Sequence, residues 1–128
     1  VDASVLADTI NTCPISQTVP SICPSLASYT GVVANENTWC DGSSMSITCA
    51  LGKVIQILCA FYGVHPSVTA CNIGYLNYQP VCYFASSLTT VNASCNGLNS
   101  CTISNFTTTF KDPCIDLDKA LYVQWSCV

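Results

Sequence analysis

The chain contains no arginine and three lysines, Lys53, Lys111 and Lys119, against seven carboxylates, for a net charge of -4. Binding nucleic acid requires clustered cations that neutralise phosphates, so a nucleic-acid partner is excluded. Long apolar runs are also missing. The longest stretch, residues 54–64, is interrupted by Gln56 and Gly63 and falls short of the roughly 18 residues a spanning helix needs, so no membrane span is expected. A single histidine, His65, and the lack of any C-x-x-C leave little for a metal: the nearest cysteines, Cys95 and Cys101, are six apart. Zinc sites draw thiolate pairs from spacings of about two to four residues, so no metal and no cofactor are expected. G-x-S-x-G, H-E-x-x-H and phosphate-cradling glycine loops are absent as well. The chain is therefore not expected to be an enzyme, and no residue is assigned a catalytic role.

Cysteine, by contrast, is abundant. Eleven cysteines in 128 residues indicate disulfides formed in an oxidising compartment, hence a secreted, extracellular protein. The number is odd, so at least one thiol is unpaired within the chain or bonded to another molecule. Only 8% of residues are charged although half are hydrophobic, which leaves solubility to Ser, Thr, Asn and glycans. Asn92-Ala93-Ser94 and Asn105-Phe106-Thr107 are acceptor sequences for N-glycosylation. The N-terminus, Val1-Asp2-Ala3-Ser4, suits a mature chain after signal-peptide removal.

Two regions differ in pattern. Residues 1–36 hold Pro14, Pro20 and Pro24 and no sustained period, and read as an extended N-terminal arm. Its apolar positions, among them Leu6, Ile10, Ile15, Val19 and Leu26, are too many for a solvated linker, so the arm should pack on something. Residues 37–128 read as one compact domain. Met45, Ile47 and Cys49 alternate with Ser and Thr as in a half-buried strand. The run from Val54 to Tyr62, bounded by Gly52 and Gly63, predicts a strand buried on both faces. Residues 63–82 predict a long loop pinned at Cys71 and Cys82. Leu88, Val91 and Cys95 recur at helical spacing before Asn96-Gly97, where a left-handed cap costs little. Cys101 and Ile103 start a short strand, and Asn105 to Phe110 form a turn or a single helical turn. Leu121, Val123, Trp125 and Cys127 alternate in a terminal strand. The fold class is mostly β with one or two short helices.

Residues 39–128 carry a series of ordered landmarks: Cys40-Asp41-Gly42-Ser43, Gly52-Lys53-Val54-Ile55, Tyr62-Gly63-Val64, Cys95 to Cys101, Phe110-Lys111-Asp112-Pro113-Cys114 and Lys119 to Cys127. In this order they resemble the SUEL-type lectin domain, the rhamnose- and galactose-binding lectin family. Cys40-Asp41-Gly42-Ser43 is similar to the family's C-E-G-S, Gly52-Lys53-Val54-Ile55 to G-K-x-I, and Tyr62-Gly63-Val64 to Y-G-R. Cys95 to Cys101 matches C-x-G-x-x-x-C, Phe110-Lys111-Asp112-Pro113-Cys114 resembles F-G-D-P-C, and Lys119 to Cys127 resembles K-Y-L-x-V-x-Y-x-C. The resemblance implies a compact disulfide-rich β-sandwich with pairs Cys40–Cys71, Cys49–Cys127, Cys82–Cys114 and Cys95–Cys101. Cys13, Cys23 and Cys59 are then left over. The simplest completion joins Cys13 to Cys23 inside the arm and leaves Cys59 buried and unpaired; a rival ties an arm cysteine to Cys59 or to a neighbouring chain.

The resemblance also implies a sugar site that works without metal, built on Asp41, Tyr62, Asp112 and Lys119, whose charged groups would hydrogen-bond ring hydroxyls. Four departures from the family pattern stand out: Asp41 is one methylene shorter than Glu, Val64 stands for Arg, Asp116-Leu117 for Gly-Thr, and Ala120 for an aromatic. The expected function is a non-catalytic extracellular carbohydrate-binding or adhesion module whose partners are glycans or cell-surface proteins. The alternative is a structural subunit, a homo-oligomer or filament in which the arm docks on a neighbour and interchain disulfides lock the assembly.

Overall fold

The computed structural model describes residues 9–12, 23–64, 71, 81–111 and 119–128. The expectations for His65, Asp112, Asp116, Leu117, Cys13, Cys114 and most of the loop 63–82 lie outside these residues, as does the Cys82–Cys114 pair.

Among the described residues, seven strands, β1 (Thr9–Thr12), β2 (Asn35–Cys40), β3 (Met45–Thr48), β4 (Ile55–Val64), β5 (Val81–Phe84), β6 (Ser100–Ile103) and β7 (Ala120–Cys127), are accompanied by helices α1 (Ser87–Cys95) and α2 (Phe106–Thr109). Five strands form one sheet in the order β1-β5-β4-β7-β2, and β3 pairs with β6 in a second. Each of these pairings is antiparallel. The mostly β class expected from the sequence is the class observed.

The core lies between the large sheet on one side and α1, α2 and the small sheet on the other. Met45, Ile47, Ile55, Tyr62, Val91, Ile103, Phe110, Leu121 and Val123 meet there, all buried. In β3, Met45 and Ile47 point inward while Ser46 and Thr48 face out, as the period of two requires. On α1 the buried positions are Ser87, Val91 and Cys95, one every four residues, whereas Leu88 is exposed. The polar Ser87 takes the core-facing position because its hydroxyl donates to the Phe84 carbonyl at 2.6 Å and accepts from the Tyr62 N–H at 3.1 Å. The hydroxyl thus serves backbone groups of two neighbouring strands inside the core. The helix gives way at Asn96-Gly97, with Gly97 in the left-handed region at φ +85.

Two central strands depart from their expected patterns. In β4, Gln56 is exposed, so burial on both faces holds only for the second half, Phe61 to Val64, where β5 flanks it. A bulge at Leu58 separates the halves, and the Asn96 side chain accepts the Ile57 N–H there at 3.0 Å. In β7, Gln124 and Ser126 are as buried as Leu121 and Val123, while Trp125 is only half-buried. β7 runs between β4 and β2, and the segment after Cys23 lies over its outer face. Gln124 ties that segment down: its Nε2 donates to the Pro24 carbonyl at 2.7 Å and to the Tyr122 hydroxyl at 2.8 Å, and its Oε1 accepts from the Tyr29 hydroxyl at 2.6 Å. Tyr122 in turn donates to the Glu36 carboxylate. Burial, together with that bond to Glu36, pushes the Tyr122 hydroxyl up to about 12.

The cystine framework agrees with the resemblance at Cys40–Cys71, Cys49–Cys127 and Cys95–Cys101. It corrects the expectation for the arm. Cys23 pairs with Cys59, at a Cα separation of 6.1 Å, so Cys23 is not bonded to Cys13 and Cys59 is not a free buried thiol. Cys59 directly follows the β4 bulge, and the crossing of the arm over β7 brings Cys23 within reach of it. The bridge is thus the rival completion made within one chain. β1 lies against the chain's own β5, Thr9 opposite Phe84 through Thr12 opposite Val81.

Candidate functional site

At the end of β2 the chain turns sharply through Gly42, at φ +87, and this turn presents Asp41. The Asp41 N–H donates to the Lys119 carbonyl at 3.0 Å, and the Asp41 Oδ2 accepts the Lys119 N–H at 2.7 Å. The two residues therefore extend the β2–β7 ladder one step past Cys40 and Ala120. The Lys119 Nζ stands 3.5 Å from the same Oδ2, with the lysine side chain 2% and the aspartate 18% exposed. The Tyr62 hydroxyl donates to Asp41 Oδ1 at 2.5 Å.

Tyr62 reaches this point from the core. Its ring is fully buried, stacked on Phe110 at 4.9 Å and edge-on to Phe106 at 5.9 Å, with Phe84 edge-on to Phe110 at 6.1 Å. An aromatic cluster of this kind holds the phenol with little rotational freedom, and its oxygen finds the polar partner that a buried tyrosine needs. Three of the four side chains expected in a sugar site, Asp41, Tyr62 and Lys119, thus meet on one carboxylate, and the fourth, Asp112, lies outside the described residues. The three are not equivalent. Lys119 and Tyr62 are buried behind the carboxylate, whereas Asp41 opens on solvent.

Asp41 opens onto a cleft of about 260 Å³ lined by Asp41, Gly42, Ser43, Ser44, Ser104, Asn105, Phe106 and Thr107. This volume is below the roughly 300–1,000 Å³ of pockets that enclose drug-sized ligands and is on the scale of one or two sugar rings. Its wall is mostly hydroxyls and an amide, and the Ser44 and Ser104 hydroxyls hydrogen-bond across it at 2.9 Å. No motif in the sequence marks Ser44, Ser104 or Thr107 as wall residues, because β3 and β6 are far apart in the chain and only their pairing, Met45 with Ile103, brings the two turns together. Five aromatics from the end of β4 through β5, Phe61, Tyr75, Tyr78, Tyr83 and Phe84, could stack on a sugar face; Phe61 and Phe84 are buried, Tyr83 packs on Phe61 at 5.3 Å, and Tyr75 and Tyr78 lie outside the described residues. The cleft thus combines a carboxylate with hydroxyl and amide side chains.

A carboxylate offers about four acceptor positions, and the phenol, the backbone N–H and the ammonium together engage up to three. An oxygen held in this way accepts a ligand hydroxyl in a charge-assisted bond without reorganising. The arrangement defines a small disulfide-stapled β domain with a carboxylate-centred, hydroxyl-lined cleft, which is the architecture of a polar-ligand binding module.

The family model of the D-galactoside/L-rhamnose binding SUEL lectin domain matches residues 47–127, and the chain belongs to this family. It is 37% identical over 90 residues to Latrophilin Cirl of Drosophila persimilis, covering 70% of this chain and 5% of that protein. It is 33% identical over 124 residues to a rhamnose-binding lectin of Silurus asotus, covering 94% of this chain and 38% of the relative. Against a D-galactoside-specific lectin of Heliocidaris crassispina the identity is 34% over 89 residues, covering 69% of this chain and 85% of the relative. The chain therefore spans a small part of the latrophilin and most of the Heliocidaris lectin.

Proposed function

We propose that the domain is a non-catalytic, extracellular carbohydrate-binding module that takes a rhamnose- or galactose-type sugar at the Asp41 cleft. The observation that carries this reading is the Asp41 carboxylate, held from behind by Tyr62 and Lys119 and open toward a cleft of hydroxyl side chains. In this arrangement Asp41 receives the sugar hydroxyls, and Tyr62 and Lys119 act as positioning residues that hold and charge-balance it. The similarity to a rhamnose-binding lectin and to a D-galactoside-specific lectin favours the same sugar class. The four disulfides among the described residues support an oxidising, extracellular setting.

The test is titration calorimetry of the intact chain with L-rhamnose and D-galactose. Saturable binding that is lost in Asp41→Ala, with the disulfides still formed, supports the reading. No signal above background at millimolar sugar would overturn it.

A further inference from the structure

We infer that Asn105 carries an N-linked glycan that stands at the mouth of the Asp41 cleft and restricts which ligands enter it. This inference rests on the sugar-binding reading above and adds a control on that site.

Both the attachment residue and the hydroxyl residue of the Asn105-Phe106-Thr107 sequon line the cleft, on the wall facing Asp41, Gly42 and Ser43. Asn105 is exposed, and its side chain makes no capping bond to α2. Its backbone is tightly held. Asn105 lies in the left-handed region at φ 52, its carbonyl accepts the N–H groups of Thr108 and Thr109 at 3.0 Å each, and the next side chain, Phe106, is buried against Tyr62 and Phe110. The backbone thus fixes the attachment point at the rim of the cleft, and the first sugars lie within a side chain's length of its mouth.

Phe106 is in the core of the folded protein, so attachment belongs to the chain before it folds. The Asn105 amide nitrogen forms a bond to C1 of the oligosaccharide, the bond from C1 to its polyprenyl-pyrophosphate carrier breaks, and the carrier leaves with the electron pair as the amide proton is lost. The second sequon supplies an internal contrast. Asn92 is exposed on α1 and is not among the residues lining the cleft.

The experiment uses the chain secreted from cells that make high-mannose glycans, in an Asn92→Gln background so that Asn105 is the only acceptor of the two sequons. Peptide mass spectrometry reads occupancy at Asn105. Endoglycosidase trimming to a single N-acetylglucosamine then leaves every protein residue unchanged. Affinities for L-rhamnose, D-galactose and a galactose-terminated tetrasaccharide are measured before and after trimming. The expected result is an occupied Asn105 and an affinity for the tetrasaccharide that rises at least fivefold on trimming, with a smaller gain for the monosaccharides. An unoccupied Asn105, or affinities unchanged by trimming, overturns the inference and leaves the sugar reading intact. No binding in either form overturns both.

Discussion

Replacing Asp41 by asparagine isolates the charge at the centre of the cleft. In Asp41→Asn the amide oxygen can still accept the Lys119 N–H, and the amide nitrogen can donate to the Tyr62 hydroxyl, which turns to accept. What is lost is the negative charge 3.5 Å from an ammonium on a side chain that is 2% exposed. Two unit charges at that distance attract by roughly 5 kcal/mol at an effective dielectric of about 20. Removing one partner of a buried pair costs about 3–5 kcal/mol in measured cases. Because Asp41 is 18% exposed, water reaches the pair, and the expected loss is about 2–4 kcal/mol. Lys119→Met should cost less, about 1–3 kcal/mol, because the carboxylate keeps the phenol, the backbone N–H and some water. The double variant should then fall short of the summed losses by about 1–3 kcal/mol, since the attraction between the two charges is counted in each single variant but lost only once in the double. Guanidinium unfolding of the four proteins with disulfides intact measures the cycle. Additivity within about 0.5 kcal/mol would refute the claim that Lys119 is held as the counter-charge of Asp41.

Three further outcomes are expected. Non-reducing peptide mapping should recover a Cys23–Cys59 peptide, and the double Cys23→Ala, Cys59→Ala variant should lose about 2–4 kcal/mol, because the bridge spans a sequence separation of 36 residues; a Cys13–Cys23 peptide instead would refute the arm's placement on β4. The Tyr122 hydroxyl is raised in the fold, so its contribution to stability is complete below about pH 10 and is lost as pH rises toward about 12. Unfolding measured at intervals through that window should show the decline, and Tyr122→Phe should flatten it; an unchanged slope in the variant would assign the decline to other groups. Phe110→Ala should cost about 3–5 kcal/mol, as for a fully buried aromatic, and should weaken sugar binding by loosening Tyr62; a loss below about 1 kcal/mol in denaturant unfolding would show that the ring does not support the site.

Local pattern carries most of the architecture. The alternation at Met45 and Ile47 reads directly because β3 has one face in the core and one in solvent, which is the condition under which a period of two is visible. The helix at Ser87–Cys95 is legible from Val91 and Cys95, but the apolar Leu88, which the helical spacing places on the same face, is exposed. Nothing local marks Ser87 as buried, because its value there is to satisfy two backbone groups of β5 and β4. The polar strand Asn35–Cys40 straddles the boundary drawn at residue 36: at the sheet edge its first residues are exposed, so no hydrophobic period announces it. β5, only four residues long, falls at the end of the segment that reads as a loop.

The sequence by itself determined the oxidising chemistry, the mostly β class, three of the observed cystines through the family landmarks, and the identities of Asp41, Tyr62 and Lys119 as residues to watch. Composition, short-range period and ordered motifs are properties of the chain alone. The tertiary structure decided where those residues face. Pairing β2 with β7 sets Asp41 beside Lys119, and β4 delivers the Tyr62 hydroxyl to the same carboxylate, which leaves the aspartate as the group of the three that opens on the cleft. It also decided that Cys23 bonds Cys59 and that the 104–107 turn, with Asn105, forms the opposite wall. Partners separated by tens of residues are chosen by strand register and by the crossing of one segment over another, and neither leaves a trace in any local window of sequence.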